Sequence, residues 1–303
     1  MNQDYVLTKS PELFADAEAR EQRTSVELHG KSWPVWFYPA SEKSKGTVLL
    51  VHGYRGTHHG LLSIVGAMPD FDCYVPDLPA FGDAPALDEQ HDLDAYSKWL
   101  ADLFTALKLK KDTVVLGHCF GSLVVGNFAA THDTQRLVLV NPLSANALEG
   151  PHRVMSKLTN FYYHVIGKLP EKFARTLLGF PLVIWLVTES MFKGKDAQLK
   201  KWVAQQHETY FSRFATPKTA VEGYFASVSH DLSEYAPKIH QPVLLIAADK
   251  DDITDIDSQR RVAGLYDSAT YVEIRDLGHL LHYQAPLEVA LHTREFALAS
   301  SKK

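Results

Sequence analysis

Cys119 stands between two glycines, Gly117 and Gly121, in the run LGHCFGS at 116–122. A tight strand-to-helix turn holds its central residue in a strained backbone conformation and leaves no room for side chains two positions away. Gly117 and Gly121 supply that room. Such a turn aims the Cys119 Sγ out of the sheet and sets it at the start of the following helix, GSLVVGNFAA, whose partial positive charge favours thiolate over thiol. The chemistry is nucleophilic attack by sulfur, which needs a base to take the thiol proton and a carboxylate to orient that base. In chain order after Cys119 come Asp249, Asp251 and Asp252, within AADKDDI (247–253), and then His279 in DLGH.

These residues are useful only if separate elements bring them together. TVLLVHG (47–53), CYVPDLP (73–79), TVVLGHC (113–119), RLVLVNP (136–142), PVLLIAAD (242–249) and TYVEIRD (270–276) read as strands, several of them apolar enough to be buried on both faces. Residues 24–40 read as two further strands around the turn His29-Gly30-Lys31. In 91–109, Leu93, Tyr96, Leu100, Leu103 and Leu107 form one helical stripe. Strands alternating with helices predict an α/β fold, a mostly parallel sheet with helices on both faces. Ligand sites in such sheets lie beyond the C-terminal strand ends, and the nucleophile, the acids and the histidine each follow their own strand. Between Asn141 and Pro242 the pattern is helical, with Thr216-Pro217 as an N-cap and first turn. This block is too long for a loop. The expected division is a core of residues 1–142 and 236–303 and an inserted helical cap over 143–235.

The chain of 303 residues carries a net charge of -5, which gives no electrostatic reason to expect nucleic acid as a partner. Two cysteines, Cys73 and Cys119, cannot build a disulfide framework, and a reducing, cytoplasmic compartment is expected. The first 23 residues are polar and lack the apolar run of a secretory leader. The longest apolar run, LLGFPLVIWLV (177–187), is interrupted by Pro181 and is too short to span a bilayer; a buried helix is expected there, with an interfacial helix as the alternative, and no stable membrane insertion.

The elbow Gly117-x-Cys119-x-Gly121, the turn His52-Gly53, the loop PDLPAFGDAP (76–85), the acid loop 247–253 and Leu277-Gly278-His279 together resemble an α/β-hydrolase of the capped type. The resemblance covers nearly the whole core and is weaker over the cap. It implies a catalytic triad of Cys119, His279 and Asp251, with Asp252 as the alternative acid. It also implies an oxyanion hole from the backbone N–H groups of Phe120 and Tyr54. The family usually has serine where this chain has Cys119; cysteine serves a minority, including dienelactone-hydrolase-like enzymes and some thioesterases. The implied activity is cofactor-free hydrolysis of a carboxylic ester or thioester, a small molecule with an apolar acyl part. A carbon–carbon bond hydrolase, an acyltransferase and a non-catalytic ligand-binding protein are alternatives on the same scaffold.

Other side chains have plainer readings. Arg55 could meet a substrate carboxylate, but a loop arginine bonding backbone carbonyls is the stronger expectation. His52 and His118 are expected to brace their turns, and His282 to lie at the surface. His58 and His59 point apart and gain no third ligand, so no metal is expected. Aromatics of the insertion (Phe161, Tyr162, Tyr163, Trp185, Trp202, Tyr210, Phe211) could line an acyl pocket, though more of them should hold its helices together.

Overall fold

The sheet has eight strands in the order β1-β2-β4-β3-β5-β6-β7-β8. The computed structural model describes residues 9–132, 134, 136–145 and 153–299, so part of the N-terminal stretch read for a leader, 1–8, lies outside the described residues. β1 (Gln22–Leu28) and β2 (Lys31–Tyr38) form an antiparallel hairpin. Its two-residue turn, His29-Gly30, has positive φ at both positions, the backbone that matches strand twist. β2 pairs antiparallel with β4 (Asp72–Pro76). β3 (Thr47–Val51), β5 (Val114–His118), β6 (Arg136–Val140), β7 (Val243–Ala248) and β8 (Ala269–Ile274) continue the sheet in parallel. This is the α/β fold expected from the alternating pattern.

The central strands are buried on both faces because alternate residues serve two separate cores. Leu49, Val115, Leu137 and Leu245 point to one side, against α3 (Leu93–Ala106) and α4 (Phe120–Thr131). Val48, Leu50, Leu116, Val138 and Ile246 point to the other, with α1 (Ser10–Glu18), α2 (Leu62–Gly66) and the C-terminal α12 (Pro286–Leu298). Two short helices, α10 (Ile256–Ala263) and α11 (Leu281–Gln284), follow β7 and β8. Cys73 is buried in β4, where burial pushes its thiol up to about 12, as suits a small core residue rather than a reactive one.

Among the described residues, five α-helices lie between β6 and β7: α5 (Arg153–Ile166), α6 (Glu171–Leu178), α7 (Pro181–Met191), α8 (Ala197–Tyr210) and α9 (Pro217–Val228). Thr216 caps α9 through a reciprocal bond pair with Thr219, as the Thr-Pro step suggested. Ala220, Val221 and Tyr224 of α9 join the same core cluster as α3. The expectation of a buried helix at 177–187 fails. The chain bends at Phe180, and on α7 only Ile184 and Thr188 are buried, while Leu182, Trp185 and Leu186 are more than half exposed. A run of apolar residues around a helix does not say which face packs, and here the outer face has no partner among the described residues. The wider stretch Glu171–Met191, 21 residues, has the length and composition of a membrane span, which the shorter run lacked, but it is folded as two helices.

Candidate active site

The end of β5 turns sharply into α4 at Cys119, whose φ of 53° and ψ of -120° lie outside the regions an L-residue prefers. Such a conformation costs about 1–3 kcal/mol and persists only where the surroundings enforce it. They do so here by close approach. A Cβ on Gly121 would fall 2.3 Å from the Val51 carbonyl oxygen, and one on Gly117 2.4 Å from that of Gly121. The Cys119 N–H donates to the Val140 carbonyl (3.1 Å), and its own carbonyl accepts from the Ser122 N–H (2.9 Å). Phe120 is the first residue of α4, so its N–H has no carbonyl four residues back and is available to a ligand.

The turn after β3 lies against this elbow: a Cβ on Gly53 would sit 3.0 Å from the Cys119 Cβ. His52 fixes that turn. Its Nδ1 donates to the Gly53 carbonyl (2.8 Å) and its Nε2 accepts from the Leu78 N–H (2.8 Å). Burial keeps the imidazole pushed down and neutral, which this donor–acceptor pairing requires. The Tyr54 hydroxyl donates to the Ala220 carbonyl of α9 (2.7 Å), tying the turn to the insertion.

His279 and Asp251 meet across the ends of β7 and β8. His279 Nδ1 is 2.8 Å from the Asp251 Oδ2, and both residues are buried. The Asp251 Oδ1 accepts the N–H groups of Ile253 (2.8 Å) and Thr254 (3.3 Å), so the carboxylate is fixed by its own loop. Burial alone would push the His279 imidazole down. The Asp251 carboxylate and the nearby Cys119 outweigh it and hold the group well above its ordinary value. His279 Nε2 has no hydrogen bond in aligned geometry among the described residues, although Cys119 is near enough to stabilise its charge. Asp252 instead turns outward and pairs with Lys193 of the insertion.

Sequence reasoning missed Asn141, at the end of β6. Its side chain joins both loops: Nδ2 donates to the carbonyls of Gly278 (3.1 Å) and His279 (2.9 Å), and Oδ1 accepts the Ala248 N–H (2.9 Å). Nothing in the sequence singled it out, since an asparagine after an apolar strand reads equally as a turn residue; only the fold shows it fully buried, with φ of 42°, where such a group must find partners. His118 adds a contact between Nε2 and the His279 carbonyl at 3.2 Å. Burial pushes the His118 imidazole down to about 3. His282 is a correction: it is not at the surface but buried, its ring 4.0 Å from that of His118. Its short helix α11 folds back under the insertion, which the sequence pattern did not show. Its Nδ1 has no partner among the described residues. His207 of α8, pushed down to about 4 by burial, bonds the Thr188 hydroxyl (2.7 Å).

Cys119, His279, Tyr54 and His282 open on one cavity of about 580 Å³. Much of its wall is hydrocarbon from the insertion, including Leu158, Val183, Leu186, Val187 and Val228. Of the aromatics weighed for such a pocket, Tyr162, Tyr163, Tyr210 and Phe211 line it. Phe161 and Trp185 are exposed, and Trp202 packs on Phe14 and Tyr283. Arg55 is the carbonyl-bonding arginine rather than one held open for a substrate carboxylate. Its guanidinium is buried, donates to the carbonyls of Leu178 (2.8 Å) and Phe211 (3.2 Å), and lies 4.5 Å from the Phe211 ring centre. His58 and His59 do not point apart as expected: their ring centres lie 3.8 Å from each other, with His58 paired to Asp77 (2.8 Å) and stacked on Trp36 and His59 stacked on Tyr210, so the chain folds both rings into one aromatic stack.

The sequence model of the α/β hydrolase fold matches residues 46–286, and the chain belongs to that family. No curated protein matches it by sequence. Among solved structures it is similar to a thermophilic esterase from Thermogutta terrifontis in a malate-bound form, with TM-score 0.70 and 18% identity over 90% of this chain and 97% of that one. It is also similar to the enol-lactonase from Burkholderia xenovorans LB400, with TM-score 0.74 and 17% identity over 91% of this chain and 100% of that one. An esterase from Exiguobacterium antarcticum gives TM-score 0.72 and 13% identity over 92% and 100%. At these identities the likeness establishes the fold.

Proposed function

We propose that this α/β hydrolase cleaves a carboxylic ester or thioester with an apolar acyl part, using Cys119 as nucleophile, His279 as base and Asp251 as its orienting acid. The observation that carries the reading is the meeting of three strand ends: an elbow cysteine and a 2.8 Å histidine–aspartate pair open on one largely apolar cavity. Sulfur attacks the substrate carbonyl carbon and its proton passes to His279 Nε2. The oxygen that becomes negative faces the N–H groups of Phe120 and Tyr54, which act only as that charge develops. Collapse expels the alcohol or thiol, which takes the proton back from His279. Water then gives a proton to His279 and attacks the acyl-sulfur carbonyl, releasing the carboxylic acid and restoring the Cys119 thiol. No cofactor enters these steps. The insertion over 143–235 acts as a cap that supplies the acyl wall, and two unpaired cysteines suit a cytoplasmic setting. The names of the neighbours, two esterases and an enol-lactonase, accord with an ester-type substrate.

Intact-protein mass spectrometry after brief mixing with p-nitrophenyl esters and acyl-CoA thioesters tests this. The expected result is an acyl adduct on Cys119 that decays with product release and is absent from Cys119→Ala. Turnover retained by Cys119→Ala would end the assignment. Ligand binding with neither adduct nor turnover across both panels would favour a non-catalytic binding protein.

A further inference from the structure

The insertion turns apolar side chains outward along three successive helices. On α5, Leu158, Phe161 and Val165 repeat at helical spacing and are 60%, 66% and 40% exposed. On α6, Phe173 and Leu177 do the same, one turn apart. On α7 the stripe is Leu182, Trp185 and Leu186. The Tyr162 hydroxyl, bonded to the Leu177 carbonyl at 2.9 Å, holds α5 against α6. Leu158 and Leu186 also line the cavity, so the apolar face is continuous with the rim of the site. A soluble surface rarely gathers so much hydrocarbon unless something covers it.

Charge says what covers it. Over residues 153–191, which carry these three helices, the chain has five lysines and arginines against two acidic residues, a net +3 within a chain whose net charge is -5. Lys157, Lys168 and Lys172 in this segment are exposed. A second copy docking by the same face would set one cationic segment against another. An anionic lipid surface meets both features, taking the apolar side chains at the acyl boundary and the lysines at the headgroups. We propose that the face formed by α5, α6 and α7 docks on an anionic phospholipid bilayer, without spanning it, and turns the mouth of the cavity toward the lipid. The docking rests on this surface alone and not on the hydrolytic reading.

Co-sedimentation of the full chain with vesicles tests it. Vesicles of phosphatidylcholine with phosphatidylglycerol should bind the protein, and pure phosphatidylcholine much less, with added salt weakening the difference. The pair Phe161→Asp with Trp185→Asp lies on the exposed face and outside the cavity wall. It should lower partition about tenfold or more while leaving circular dichroism and turnover of a soluble ester unchanged. The pair Lys168→Glu with Lys172→Glu should weaken binding to anionic vesicles and flatten its salt dependence. The proposal is overturned if the parent binds neither vesicle, if both variant pairs bind as the parent does, or if the parent is instead a dimer that Phe161→Asp with Trp185→Asp dissociates without any vesicle binding.

Discussion

Two adjacent carboxylates, Asp251 and Asp252, separate cleanly once their oxygens are followed. Each Asp251 oxygen has a fixed duty, one to His279 and one to the loop N–H groups. Asp252 is bound to Lys193 at the surface. Losing the acid costs about 10⁴ in kcat in serine triads. A thiol ionises more easily than a hydroxyl, so Asp251→Asn should lower kcat by about 10²–10³. Asp252→Asn should cost less than about tenfold, because it removes a surface ion pair. Steady-state rates of both variants on one activated ester check this; the reverse order would move the acid by one residue. The loop 247–253 and the family pattern pointed to Asp251 as the residue facing His279, since a strand end fixes which residue returns toward the site, and the structure puts the two side chains 2.8 Å apart. Arg55 was half readable. Its residue type allowed either an anion or carbonyls, and only the folded insertion shows that the carbonyls of Leu178 and Phe211 occupy it.

Strands were the most legible elements, because a short apolar run ending in a turn has few other uses in an α/β chain. The two-sided core followed from the same alternation, whereas the strand order β1-β2-β4-β3-β5-β6-β7-β8 did not. The orientation of the insertion helices was not legible: LLGFPLVIWLV is apolar on every side, so nothing in it marked the face that stays in water. Asn141 shows a second blind spot, where one side chain joins two loops more than 100 residues further along the chain. Asn141→Ala leaves the Ala248 N–H and the His279 carbonyl with fewer partners in a buried place. We expect a loss of about 2–4 kcal/mol in stability and a fall in kcat with little change in KM, since His279 is then less firmly aimed. Urea unfolding together with kcat and KM on a soluble ester decides it. Unchanged kcat would show that the base loop holds itself.

For the molecule as a whole, buried histidines set the response to acid. Burial pushes His59 and His118 down to about 3 and His207 down to about 4, and lowers His52, His91 and His282 as well. Above the unfolded value of about 6.5 both states are neutral at these positions and nothing is lost. Below it the unfolded chain takes up protons that the folded chain refuses. Stability then falls by up to about 1.4 kcal/mol per pH unit for each such group until its folded value is reached. His279 runs the other way: raised in the fold, its contribution is complete below about 6.5 and is lost as pH rises through its folded value. Six groups outweigh one on the acid side, so the urea midpoint should drop clearly between pH 7.5 and pH 5, and equal midpoints would refute the account. The order of the site along the chain has a consequence for biosynthesis. Cys119 precedes His279 by 160 residues, with the whole helical insertion between them. During translation the elbow strand emerges long before His279, which follows β8, the last strand in chain order among the described residues. On the proposed mechanism, a nascent chain carries the Cys119 thiol without its base until β8 and His279 have been made.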